Sequence, residues 1–248
     1  MINYQPVKIL FDFGSLQIPS YGFALFSAFI TGYILALREV KRRGLDVGEF
    51  NNLFILIVTG AVIGARIFFA VENLRYYLNS PMEIFKTWRG GVSSYGGFIG
   101  AFLFVFVYTK VRKINLWEYA DAVVPSIALG IFITRIGCFL NWCDYGVACS
   151  LPWAVNAGDY PRHPTQGYLA LNGLIHFLVF QQLKTRPLIS GQLFLWFVIS
   201  YNTARLAIEF TRDGPRYFTV LTSGQIAGLS MLLIGLVYLK KRKRLDQA

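Results

Sequence analysis

The sequence is poor in what a soluble protein is made from. Only 15% of its 248 residues are charged, against about 25% in a typical soluble domain. A soluble fold of this size has too little interior to hide a chain that is 55% hydrophobic and 17% aromatic, with a mean hydropathy of +0.48, so the solvent is read as lipid. Acidic residues are scarce too: 13 against 24 Lys and Arg, a net charge of +11. In a soluble chain that excess would suggest nucleic acid; here the basic residues sit at the ends of apolar runs, as topology signals and lipid headgroup contacts, and no nucleic acid is expected. Cysteine is limited to Cys138, Cys143 and Cys149. That is too few for a disulfide framework, and the spacing is not that of a zinc site. Cys138 reads as a small apolar packing residue, and a Cys143–Cys149 bridge is open to the chain if the loop faces an oxidising compartment. Met1 to Pro19 holds one Lys and two prolines and no signal-peptide core. No repeat or low-complexity stretch is visible.

What the chain does have is seven apolar runs: Tyr21–Leu37, Asn51–Val71, Gly90–Thr109, Ala122–Leu140, Tyr168–Leu183, Gly191–Phe210 and Val220–Leu239. Most approach the roughly 20 residues that cross a bilayer. The expected fold is therefore all-α and polytopic, with about seven transmembrane helices in a single domain spanning residues 1–248. Alternate connections hold fourteen Lys and Arg on one side against seven on the other, with Arg66, Arg135 and Arg205 inside the runs. The positive-inside rule then puts the N-terminus outside and the C-terminus in the cytoplasm. The long connections, about 72–89 and 141–167, fall on the extracytoplasmic side, and loops are where function concentrates.

A guanidinium within a membrane helix costs about 2.5–3.5 kcal/mol at mid-depth and is usually functional. With the expected topology Arg66, Arg135 and Arg205 all lie in the outer halves of their helices. Tyr21, Tyr95, Glu209 and Gln225 reach the same level, a polar set suited to a lipid phosphate, since the Arg fork engages phosphate oxygens in pairs and stays charged when desolvated. The competing account is snorkelling or structural pairing. Arg205, Glu209 and Arg212, at i, i+4 and i+7, share a helix face. Gly90–Gly97 is glycine-rich at a helix entry, allowing close backbone approach. His163 lies in an outer loop, where it serves as a proton acceptor or a helix cap.

In order and placement these motifs resemble those of the bacterial prolipoprotein diacylglyceryl transferases. Tyr21-Gly22, Gly64-Ala65-Arg66, and Gly90–Gly97 with Ser94, Tyr95, Gly96 and Gly97 are similar to family segments. So are Arg135–Gly146, Pro152-Trp153, Arg162–Gln166 and Arg205-x-x-x-Glu209-Phe210-x-Arg212. The resemblance implies a transferase of the bacterial inner membrane. It would move the diacylglyceryl group of phosphatidylglycerol to the lipobox cysteine of a prolipoprotein signal peptide, with no cofactor and no metal. It also implies phosphate clamps at Arg135 and Arg205 assisted by Arg66, with Glu209 and Arg212 positioning Arg205. Tyr95, standing where many members carry His, and His163 are the candidate thiol-proton acceptors. Tyr21, Ser94, Gly96, Gly97, Asn141 and Gly146 fall to the substrate site. Cys138 stands where the family usually has Asn, Cys143 where it has Glu, and Trp142 in place of a Gly. A divergent member, or a transporter or binding protein for an anionic lipid or small anion, remains the alternative reading.

Overall fold

The structure, a computed structural model, describes residues 1–14, 16–85, 91, 93–214, 216–217 and 221–246. It is mostly helical: α1 (Ser20–Arg42), α2 (Val47–Glu72), α3 (Leu74–Asn79), α4 (Ser94–Arg112), α5 (Leu116–Asn141), α6 (Thr165–Leu183), α7 (Gln192–Glu209) and α8 (Ser223–Asp246). Each of the seven apolar runs falls largely within a long helix, the third from Ser94, the sixth from Gln192 to Glu209 and the seventh from Ser223 onward; Gly90 and Val220, where the third and seventh runs begin, lie outside the described residues. Among the described residues α1, α2 and α5 are long and apolar enough to cross a membrane. Their large exposed side chains, such as Phe26 at 65% and Val71 at 62%, form apolar surface that water would not tolerate and lipid does. Three two-stranded pairs complete the inventory: β1 (Ile2–Asn3) parallel to β4 (Val155–Asn156), β2 (Ile9–Asp12) antiparallel to β3 (Gln17–Pro19), and β5 (Arg216–Tyr217) antiparallel to β6 (Leu221–Thr222).

The chain divides into two compact units. Val40–Tyr119 is one, built on the pairing of α2 with α4. Asp46 caps α2 by accepting from the Glu49 amide at 2.8 Å, satisfying one of the donors that a helix start leaves unpaired. Gly60 and Gly64 of α2 meet Gly96 and Gly100 of α4. A Cβ on Gly64 would lie 2.3 Å from the Gly96 carbonyl oxygen, and one on Gly100 would lie 2.1 Å from that of Gly60. Each helix therefore carries a Gly-x-x-x-Gly stripe, the pattern that lets membrane helices touch backbone to backbone.

Met1–Glu39 with Ala120–Ala248 is the other unit. Its buried apolar cluster is Val124, Ala128, Phe180, Leu193, Phe197 and Tyr201. His176 packs among these rings, stacked on Phe180, with Nδ1 2.8 Å from the Asn172 carbonyl oxygen and Nε2 3.1 Å from Ser200 Oγ; it joins α6 to α7. Asp121 of α5 accepts from the amides of Gly191 and Phe194 at 2.7 and 2.8 Å, capping α7 from a neighbouring helix. Polar backbone at the N-terminus is absorbed by the end of α5 and the segment after it: Ile2 donates to Ala154, Tyr4 to Asn156 and Val7 to Leu140.

Candidate functional site

Helix α5 ends in a turn that reverses the chain. The amide of Trp142 donates to Phe139 and that of Cys143 to Cys138, at 3.1 and 2.9 Å. Trp142 has φ +55°. These two bonds around a left-handed residue are the Schellman termination of a helix. Asp144, also left-handed at φ +57°, is thereby turned back over the helix end. Its carboxylate bridges two guanidiniums, with Oδ2 2.8 Å from Arg135 Nη1 and Oδ1 2.7 Å from Arg212 Nη2. Burial pushes this carboxyl up, but Arg212 and Arg135 outweigh it and hold Asp144 below the usual carboxylate range. Two side chains at the start of α6, both fully buried, hold the turn from behind: Thr165 Oγ1 donates to the Asp144 carbonyl and Gln166 Nε2 to that of Cys143, each at 2.6 Å.

From Arg212 the network continues to Glu209. This carboxylate is buried and lies 3.3 Å from Arg212 Nη1, and it accepts from Thr222 Oγ1 at 3.1 Å. Glu209 thus pairs with Arg212 and not with Arg205. Arg205 sits one turn earlier on α7, half-buried, and makes no hydrogen bond or ion pair to any described residue. Two cations and two anions, Arg135, Arg212, Asp144 and Glu209, cancel one another; the guanidinium of Arg205 is additional. Buried charges of this kind persist only when paired.

Gly146 belongs to the frame of the site. Its amide donates to His163 at 2.9 Å, and a Cβ there would lie 2.5 Å from both His163 Cβ and the Thr211 carbonyl oxygen. The position admits no side chain between the two segments it joins. Asn141 ends α5, two residues before Cys143. Tyr21 opens α1 with its Cα 3.4 Å from the Cβ position of Gly137, at the level where α5 carries Arg135.

His163 is the end of a short polar chain. Trp153 Nε1 donates to the Tyr168 hydroxyl at 2.8 Å, and that hydroxyl lies 3.2 Å from His163 Nδ1. Indole is only a donor, so the Tyr168 oxygen accepts from it and its own proton is available to His163 Nδ1. In the other tautomer Nδ1–H donates to the same oxygen, which has a second acceptor site, and Nε2 is then free to take a proton. Arg162, next to it, is committed elsewhere. It pairs with Asp159 and Asp213 at 2.7 and 2.9 Å, and its guanidinium lies over the rings of Tyr145 and Tyr160 at 4.5 and 4.0 Å.

In the Val40–Tyr119 unit, Arg66 is buried and donates to the carbonyls of Ile84, Gly91 and Glu83 at 2.7, 2.8 and 2.5 Å. Its guanidinium also lies 5.5 Å from the Tyr77 ring. These contacts tie α2 to the segment after α3. Tyr95, in the first turn of α4, is half exposed. Gly96 is taken up by the helix contact, while Gly97 is in ordinary contact with Ala61 and Ala65. The side chain of Ser94 lies outside the described residues.

Asp144 is the residue that sequence reading missed. The family signature ends on a carboxylate at the place of Cys143, and Asp144 supplies one a single residue later. Thr165 and Tyr168 were missed as well, because nothing in their neighbourhood marks a partner more than twenty residues away or a shared hydroxyl.

A bundle of apolar helices carrying a linked set of arginines and carboxylates defines a helical membrane protein with a polar site at the end of its helices. The chain belongs to the prolipoprotein diacylglyceryl transferase family, whose sequence model matches residues 8–240. The phosphatidylglycerol–prolipoprotein diacylglyceryl transferase of Methylococcus capsulatus is 32% identical over 257 aligned residues, which cover 96% of this chain and 97% of that one. The enzyme of the same name from Bordetella avium is 33% identical, covering 95% and 93%. That of Geobacter sulfurreducens is 30% identical, covering 95% and 96%.

Proposed function

We propose that this protein transfers the diacylglyceryl group of phosphatidylglycerol to the lipobox cysteine thiol of prolipoproteins. The reading includes seven crossings of the bacterial inner membrane, the N-terminus outside, the C-terminus in the cytoplasm and the site toward the extracytoplasmic leaflet. The observation that supports it best is the charge balance around Arg205. Its guanidinium has no partner among the described residues, one helical turn from a network whose own charges cancel. A spare cation that keeps its charge when desolvated suits a lipid phosphate.

The chemistry follows from that placement. The lipobox thiol loses its proton and the thiolate attacks the glyceryl carbon that bears the phosphate ester. A carbon–sulfur bond forms, the carbon–oxygen bond breaks, and glycerol phosphate departs with the electron pair. Arg205 and Arg135 offset the charge that grows on the leaving phosphate. Asp144 is a positioning residue that holds the Arg135 guanidinium, and Arg212 with Glu209 holds Asp144 in turn. His163, held by Tyr168 through Nδ1, and Tyr95 are the two candidate proton acceptors. Tyr21, Asn141 and Gly146 shape the substrate site in this reading.

The test is purified protein with phosphatidylglycerol vesicles and a lipobox peptide, read by mass spectrometry. Wild type is expected to add one diacylglyceryl mass to the peptide, and Arg205→Ala to lose about 10²–10³-fold in turnover, as for removal of one oxyanion donor. His163→Ala and Tyr95→Phe separate the two acceptors by which pH profile changes. No mass gain with wild type, under conditions where the Methylococcus capsulatus relative gives one, overturns the assignment.

A further inference from the structure

Two of the three cysteines meet in the turn that presents Asp144. In a Schellman termination, the residue three before the cap and the second residue beyond it pack side chain against side chain. Here those positions are Cys138 and Cys143. The amide of Cys143 lies 2.9 Å from the Cys138 carbonyl oxygen, and its Sγ lies 3.6 Å from that same oxygen. The Cys143 side chain is thus turned back along the last turn of α5 that carries Cys138. Both are reduced, as is Cys149. Cys149 is engaged elsewhere, its amide bonded to Pro161.

We propose that Cys138 and Cys143 form an intramolecular disulfide when a disulfide-bearing oxidant reaches the loop, and that this bond pins the turn carrying Asp144. It relies on the extracytoplasmic placement proposed above only for the supply of oxidant. Cys143 is half-buried and Cys138 is 4% exposed, so the order of events is set by access. The Cys143 thiolate attacks one sulfur of the oxidant's disulfide, giving a mixed disulfide and releasing one thiolate. Cys138 loses its proton to solvent and attacks the Cys143 sulfur, and the oxidant's second thiolate leaves. Two protein thiols are oxidised and one oxidant disulfide is reduced to two thiols. Cys143 suits the attacking role: the neighbouring Cys138 side chain, outweighing burial and the Asp144 charge, lowers its pKa to about 7. The turn has reason to need a pin, since Trp142 and Asp144 both hold left-handed backbone without being glycine.

The experiment uses the full chain in detergent micelles, reduced, freed of reductant and incubated with oxidised glutathione. Free thiols are then alkylated under denaturing conditions and the protein is cut with chymotrypsin, which cleaves between the cysteines at Phe139, Trp142 and Tyr145. The expected result is a linked peptide pair containing Cys138 and Cys143, two hydrogens lighter than the reduced peptides, with Cys149 alkylated. The same link is expected in Cys149→Ala and none in Cys143→Ala. The oxidised protein is expected to unfold at a higher temperature than the reduced one. Alkylation of both Cys138 and Cys143 after oxidation, a link to Cys149, or an unresolved glutathione adduct on Cys143 overturns the pairing. Equal unfolding temperatures overturn the claim that it pins the turn. Because the readout is the mass of the protein, a link without any transferase activity would sink the functional reading and leave this one standing.

Discussion

Where α2 meets α4, two backbones touch because four glycines leave nothing between them. At the end of α5, two guanidiniums approach because a carboxylate lies between them. The first contact tolerates any solvent polarity and no added volume; the second tolerates some change of volume and no loss of charge. Arg66 stands between these cases, a cation inside the glycine-built unit held by carbonyl oxygens that do not titrate. The comparison teaches that a membrane protein joins its elements by steric absence or by polar presence, and each join fails to a different insult.

The largest effect is expected from Gly100→Leu, which would drive a side chain into the Gly60 carbonyl. It should cost about 3 kcal/mol, the upper end for overpacking, read as a fall in unfolding temperature in detergent with no dependence on pH. Arg66→Ala should follow at about 2 kcal/mol, since three half-buried carbonyls lose a donor, again without pH dependence. Asp144→Asn comes next. Its side chain is about a third exposed, so the loss is about 1–2 kcal/mol rather than that of a fully buried pair, with turnover down about tenfold. This variant separates the two regions by pH. Asp144 is held below its usual range, so its contribution is complete above the ordinary aspartate pKa of about 3.9 and is lost as pH falls through the lower folded value. Wild type should therefore lose stability on acidification below about pH 4, and Asp144→Asn should lose less over that interval. Gly97→Ala should change stability by less than about 0.5 kcal/mol, because the added Cβ meets only ordinary contacts; a large effect there would mean the steric side of the comparison extends beyond the four facing glycines.

Much of the helical layout could be read in advance because long apolar runs have few alternatives: among the described residues, most of each run lies in a helix. The glycine stripe was half legible. Gly90–Gly97 drew notice as a backbone approach site, yet the pairing that matters, Gly60 and Gly64 with Gly96 and Gly100, needs two Gly-x-x-x-Gly spacings read against each other. Arg135, Glu209 and Arg212 were named from their positions, and Glu209 with Arg212 from their shared helix face, but the partnership of both arginines with Asp144 was not. The Asp144 bridge depends on two left-handed residues, and the sequence offers Trp and Asp there instead of the glycine that usually announces such a turn. Helical spacing makes Arg205 and Arg212 equal neighbours of Glu209; Glu209 and Arg212, three apart where α7 ends, are the pair that closes. The parallel bridge between Ile2–Asn3 and Val155–Asn156 could not be foreseen, since two-residue strands carry no periodicity.

The chain from Trp153 through Tyr168 to His163 gives the protein a built-in optical gauge. The indole is exposed, and its N–H is bonded to the same hydroxyl that serves the imidazole. When Nδ1 is the donor, that hydroxyl accepts from both rings and turns its own proton away, so the indole shares its acceptor with the imidazole. The difference between the emission spectra of wild type and Trp153→Phe would then report on the hydroxyl that the indole shares with His163, with no label attached.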